Sequence, residues 1–146
     1  MRHCVRMPES KSWFAVGIDL HLAATEDGGR SKPLGAAGYK PYEYRPNWRV
    51  PGMAPPNQIG APVLHFGATP LYPGDRTRAV IVPFAATSLD LWRALNPGDE
   101  LVLLEGPRIC GQAHVAWITA TTWPVLPHAS ESFMDWCTGG STPSGC

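Results

Sequence analysis

Proline and glycine recur so closely along this chain that long helices have almost nowhere to form. There are 15 glycines and 16 prolines among 146 residues. Together they approach about a fifth of the chain, against an ordinary share of roughly 12%. Inside a helix, proline removes a hydrogen bond and clashes with the preceding turn, and glycine costs backbone entropy. Short strands joined by tight turns are the architecture that remains. The hydrophobic fraction of 44% suffices for a core, and the length suits one domain.

The clearest local pattern spans Trp13 to Ala24. Phe14, Val16, Ile18, Leu20 and Leu22 alternate with Ala15, Gly17, Asp19 and His21. Period two predicts a strand with one buried face and one more exposed face. A turn follows at Glu26-Asp27-Gly28-Gly29-Arg30. Tyr39 to Val50 is aromatic and basic, but Pro41 and Pro46 reduce it to an edge or interrupted strand. Val63, Leu64 and Phe66 around His65 suggest a short apolar strand, and Ala79 to Phe84 a core strand. Leu89 to Leu95 suits a short helix ended by Asn96-Pro97-Gly98. Glu100 to Leu104 and Ile109 to Ile118 flank a turn at Glu105-Gly106-Pro107-Arg108, which predicts a hairpin. The reading divides the chain into a flexible segment over 1–11, a β domain over 12–122, and a Pro/Gly/Ser-rich tail over 123–146. That tail is expected to lie mostly outside the core, with Phe133 and Trp136 as its docking residues.

Charge narrows the function classes. Lys plus Arg and Asp plus Glu each number 12, so the formal net charge is zero. A strongly polyanion-seeking surface needs a surplus of Lys and Arg. No apolar run has the length of a membrane span, and none of signal-peptide length follows the basic N-terminus, so a cytoplasmic protein is expected. Cys4, Cys110, Cys137 and Cys146 are scattered without a C-x-x-C pair. That pattern favours neither a disulfide framework nor a zinc site, although Cys137 and Cys146 sit near enough in sequence to pair. His3 with Cys4, and His128 with Cys137, are too loosely spaced to argue for a metal, and no cofactor is expected.

Four elements, in order, resemble the C-terminal (third) barrel of the translation elongation factor Tu and elongation factor 1-alpha family. The strand from Trp13 falls where that barrel's first strand does. Glu26-Asp27-Gly28-Gly29-Arg30 followed by Gly38-Tyr39-Lys40-Pro41 is similar to its "EEGGR … GYRP" stretch. Pro73-Gly74-Asp75 is similar to its "MPGD" turn, and Leu104 to Gly111 to its closing "REGGRTVGAG" hairpin. The resemblance implies a small, closed, six-stranded antiparallel Greek-key barrel. It further implies a monomeric, non-catalytic binding module that engages a protein of the translation machinery or tRNA. The sequence contains neither a G-x-x-x-x-G-K-S/T phosphate loop nor an Asn-Lys-x-Asp guanine motif. It therefore reads as a free-standing copy of the barrel that binds no nucleotide and hydrolyses no GTP.

Carried over residue by residue, Glu105 and Gly106 match hairpin positions that contact tRNA in the family. Arg30, Lys40 and Arg108 are basic residues on matching motifs. Three positions depart from the family pattern: Leu104 replaces an Arg, Pro107 a Gly, and Tyr42 a Gln. Within Tyr39 to Arg49, the rings of Tyr39, Tyr42, Tyr44 and Trp48 alternate with Lys40, Arg45 and Arg49. As an RNA site this stretch would stack bases and pair phosphates; as a strand, its aromatics would cover one end of the barrel. The expected binding residues are Arg30, Lys40, Tyr42, Arg45, Arg49, Glu105, Gly106 and Arg108. A thiol or hydrolytic enzyme is the remaining class. Asp19 and His21 share one strand face, and period two places Cys110, Gln112 and His114 on one face of another.

Overall fold

The computed structural model describes residues 13–83 and 89–143. The expected segment 1–11, Phe84 at the end of the Ala79 strand, Cys4, and the Cys146 of the suggested Cys137 pair lie outside the described residues. Among the described residues, seven strands and two α-helices follow in chain order, with one 3-10 turn at Thr25–Asp27: β1 (Trp13–Leu22), β2 (Asn47–Arg49), β3 (Ile59–Gly60), β4 (Val63–Phe66), β5 (Arg76–Ile81), α1 (Leu89–Arg93), β6 (Glu100–Glu105), β7 (Arg108–Thr121) and α2 (Pro127–Cys137). The strands form one antiparallel sheet in the order β3-β2-β6-β7-β1-β5-β4. The all-β expectation holds at this level.

The closed six-stranded Greek-key barrel does not. The sheet has seven strands and curls into a half-barrel whose outermost strands, β3 and β4, are separated in the chain only by Ala61 and Pro62. Backbone bonds run alongside this crossing, with Ala61 N–H donating to Pro46 C=O at 3.2 Å and Val63 N–H to Tyr44 C=O at 3.0 Å. Pro46 and Pro62 themselves have no N–H, so the ladder is interrupted where closure would occur.

The concave side holds the main core. Val16, Ile18, Leu20 and Leu22 of β1 meet Ala79 and Ile81 of β5, Leu101 and Leu103 of β6, and Trp48 of β2. The alternation read in β1 is thus an inward face. A second, smaller core lies on the convex side: Ala15, Leu64, Val80, Val82 and Trp117 are covered by Phe133, Trp136 and Cys137 of α2. The 123–146 stretch therefore carries an 11-residue helix seated on the sheet, and Phe133 and Trp136 do dock. Proline at the first turn of α2 suits a helix start, because its missing N–H would have no partner there. The Trp117 ring lies between Phe133 and Trp136, with centroids 5.4 and 5.2 Å away. Gly17 makes this possible: a Cβ there would fall 2.1 Å from the indole.

Three register shifts shape the sheet, between Gly17 and Ile18, Val63 and His65, and Leu103 and Leu104. In the last, Leu103 faces Gly111 and Leu104 faces Ile109, leaving Cys110 as the extra residue of a bulge. Such a residue breaks the alternation of side chains. Cys110 is buried in the concave core, while Gln112 and His114 are exposed on the other side. The expected common face for Cys110, Gln112 and His114 is thereby corrected.

Candidate functional site

The β6–β7 hairpin turns on two residues. Gly106 has φ +58, and the ring of Pro107 holds the next φ negative, the sign combination of a type II′ turn. Glycine takes the first position because a side chain would strain it. The turn leaves Glu105 and Arg108 opposite each other at the base of the loop.

Glu105 is the centre of a polar cluster. Arg30 arrives from the loop after β1, its Nε 2.8 Å from Glu105 Oε2. Tyr44 Oη donates to the same carboxylate oxygen at 2.5 Å. The Arg30 guanidinium lies 5.7 Å from the Tyr44 ring centroid and donates to Lys32 C=O at 3.0 Å. Arg30 and Glu105 side chains are only 20% and 30% exposed, so the pair is sheltered from solvent screening. Burial first, and the Glu105 hydrogen bond second, push the Tyr44 hydroxyl well above the phenol range. Tyr44 is therefore a neutral donor to a charged acceptor, an arrangement that strengthens the bond. A loop from β2 clasps the other side of the hairpin. Gln58 Nε2 donates to Gly106 C=O at 3.2 Å, and Arg49 Nε to Asn57 C=O at 3.2 Å.

The residues expected at the site separate into two groups. Arg30, Glu105, Gly106 and Arg108 meet at the hairpin, with Arg49 tied in through the Asn57–Gln58 loop. Lys40, Tyr42 and Arg45 belong to a separate turn. There Arg45 Nε donates to Tyr42 C=O at 3.1 Å, and Lys40 N–H to Glu43 Oε2 at 3.2 Å. Tyr42 has φ +64, a left-handed conformation that few side chains adopt without strain. Its ring packs edge-on to Trp123 with centroids 5.0 Å apart.

The aromatics of the 39–49 stretch act as covers. Trp48 is fully buried, and its Nε1 donates to Ala61 C=O at 3.0 Å. Tyr39 and Tyr44 pack against the concave core, and the Tyr39 hydroxyl donates to Val63 C=O. Burial pushes that hydroxyl up to about 12. The cations of the stretch reach the surface; Trp48 is fully buried, and the half-buried rings of Tyr39 and Tyr44 pack on Phe66, with Arg30 over Tyr44.

Cys110 is buried, and burial raises its thiol above the ordinary range, which disfavours the nucleophilic thiolate. His114 lies on the opposite side of the strand, so the two form no nucleophile–base pair. Among the described residues, no group of three or more His, Cys, Asp and Glu side chains is placed to hold a metal ion. No described helix is long and apolar enough to cross a membrane.

Sequence reasoning overlooked one buried polar contact. His65 of β4 lies 2.8 Å, ring Nε2 to Oγ, from Ser130 of α2. Burial lowers the His65 pKa, and the Ser130 contact offsets part of this. A histidine in an apolar strand facing a serine 65 positions later carries no local signal. No family model matches this chain, and no curated protein matches it.

Proposed function

We propose that the chain is a non-catalytic binding module whose β scaffold is similar to the third barrel of the elongation factor Tu family. Its reading face is the β6–β7 hairpin, and its partner is a protein of the translation apparatus. The supporting observation is the 2.8 Å contact between Arg30 and Glu105. It joins two of the four elements that carry the family resemblance, although 75 positions separate Arg30 from Glu105 in the chain. A sheltered ion pair braced by a tyrosine gives the hairpin a fixed shape, and Gly106, Pro107 and Arg108 remain exposed at its tip.

A protein partner is favoured over RNA because the rings of Tyr39, Tyr44 and Trp48 are spent on packing. Base stacking would need those faces free. The test is a low-salt pull-down with the purified chain, quantifying elongation factors, ribosomal proteins and tRNA. The expected result is enrichment of a translation protein that survives nuclease and falls with Arg108→Ala. Recovery of tRNA alone, with steep salt dependence, would replace this reading with the RNA one. Recovery of neither would reject both.

A further inference from the structure

The convex side of the sheet has a half that α2 leaves open, and it is concave enough to hold a ligand. Two adjoining clefts of about 440 and 560 Å³ share His21 and Gln112 as their common wall. Arg76 lies in the first cleft, opposite His21 across the β1–β5 pair. The second is lined by Ala23, Ala24, Gly74, Gly111, the exposed side chain of Ile109 and the carboxylate of Asp27. The two clefts together run from a guanidinium at one end to small and apolar residues, with the single carboxylate of Asp27 among them, at the other.

The polar groups at the charged end are unspent, as is Arg108 at the hairpin, whereas the other arginines among the described residues are engaged. Arg30, Arg45, Arg49, Arg78 and Arg93 all contact a carboxylate or a carbonyl. Asp19, His21, Arg76, Gln112 and His114 have no side-chain hydrogen bond or ion pair to any other described residue. Asp19 is a diagonal neighbour of Arg76 across β1 and β5, close enough to influence a bound charge yet not in contact with the guanidinium.

We infer that this groove binds a small monoanionic carboxylate with a short apolar tail. The planar guanidinium of Arg76 matches a carboxylate in two-point geometry, and the Gln112 amide supplies a further donor. The tail lies over Ala23 and Ala24 against Ile109. From His21 to Ala24 an extended chain advances roughly 10 Å, room for a short acyl chain. Asp19 sets the charge preference, since its carboxylate repels a doubly charged phosphate ester more than a singly charged carboxylate. This site is independent of the hairpin, and its failure would leave the proposed protein interface untouched.

Hexanoate, acetate, 1-hexanol and hexyl phosphate, titrated into the ¹⁵N-labelled chain, distinguish the components. Saturable amide shifts over Leu20–Ala24 and Gly111–Ala113 are expected with hexanoate. Hexanoate should bind about tenfold or more tighter than acetate, because each buried methylene contributes roughly fourfold. Arg76→Ala should weaken it by about tenfold through loss of the charge-assisted pair. Ile109→Ser should erase the advantage over acetate, and Asp19→Asn should raise hexyl phosphate toward hexanoate. Both positions are exposed, and the remaining amide spectrum reports that each variant is folded. Absence of saturable shifts, equal binding of 1-hexanol and hexanoate, or insensitivity to Arg76→Ala would overturn the proposal.

Discussion

The convex face of the sheet carries two regions that share strands β1, β5 and β7, with β4 adding Leu64 and His65 to one of them. One half is sealed and the other is open. The outward side chains change character at one level across all three. Along β1, Ala15 and Gly17 give way to Asp19 and His21. Along β5, Val80 gives way to Arg78 and Arg76. Along β7, Trp117 gives way to His114 and Gln112, with the bulge opposite Gly17 and Ile18 between them. A single sheet thereby presents an apolar seat for α2 beside a polar groove. Arg78 stands on the boundary. Its NH1 donates to Trp136 C=O at 3.0 Å, and its guanidinium lies 4.8 Å from the Trp136 ring centroid. The same carbonyl also accepts from Gly139 N–H at 3.1 Å, and a cation at this end of the helix complements its dipole. Strand pairing alone does not decide which half is sealed; the outward side chains that α2 can cover do.

The largest expected effect comes from emptying the sealed half. Trp136→Ala should cost about 3–5 kcal/mol in urea unfolding, because it removes a buried ring that packs on Trp117 and Arg78. A loss below about 1 kcal/mol would show that the helix contributes little to the fold. Gly17→Ala should cost about 1–3 kcal/mol by forcing the Trp117 indole off the strand. A neutral result would mean that the indole has another place to go.

His65 gives the sealed half a pH dependence. Its folded pKa lies below the ordinary value of 6.5 because the ring is buried. The unfolded chain therefore takes up the proton at higher pH than the folded one. This contribution to stability is complete above about pH 6.5 and is lost as the pH falls toward the lower folded value. Urea midpoints measured across that interval should fall with acid, and His65→Asn should flatten the change. The smallest effects belong to the open half. Gln112→Ala and Asp19→Ala should each alter stability by no more than about 0.5 kcal/mol, since neither side chain has a partner to lose. A cost above about 2 kcal/mol at either position would erase the contrast between the halves.

Much of the strand plan was legible because its signals are local. The alternation from Phe14 to Leu22, the glycine-led turn before Arg108, and the proline interruptions in the 39–49 stretch each act within a few residues. The same locality explains the errors. Period two placed Cys110 with His114, and one bulge residue reversed it. The proline-, glycine- and serine-rich composition after Thr122 concealed α2, whose apolar residues have no purpose until Trp117 and Val80 are beneath them. The candidate site was half legible. The turn chemistry around Gly106 marked the hairpin, but nothing local brought Arg30 to Glu105 or sent Tyr42 and Arg45 elsewhere.

By itself, then, the sequence determined that this chain builds short antiparallel strands with tight turns, because steric limits at proline and glycine and the pleat of a strand operate over neighbouring residues. Only the tertiary structure decided that the sheet stops short of a closed barrel, that Trp117 is capped by a helix, and that Arg76 and His21 stay open to solvent. Those outcomes depend on which distant surfaces meet, and burial is a property of that meeting rather than of any one segment.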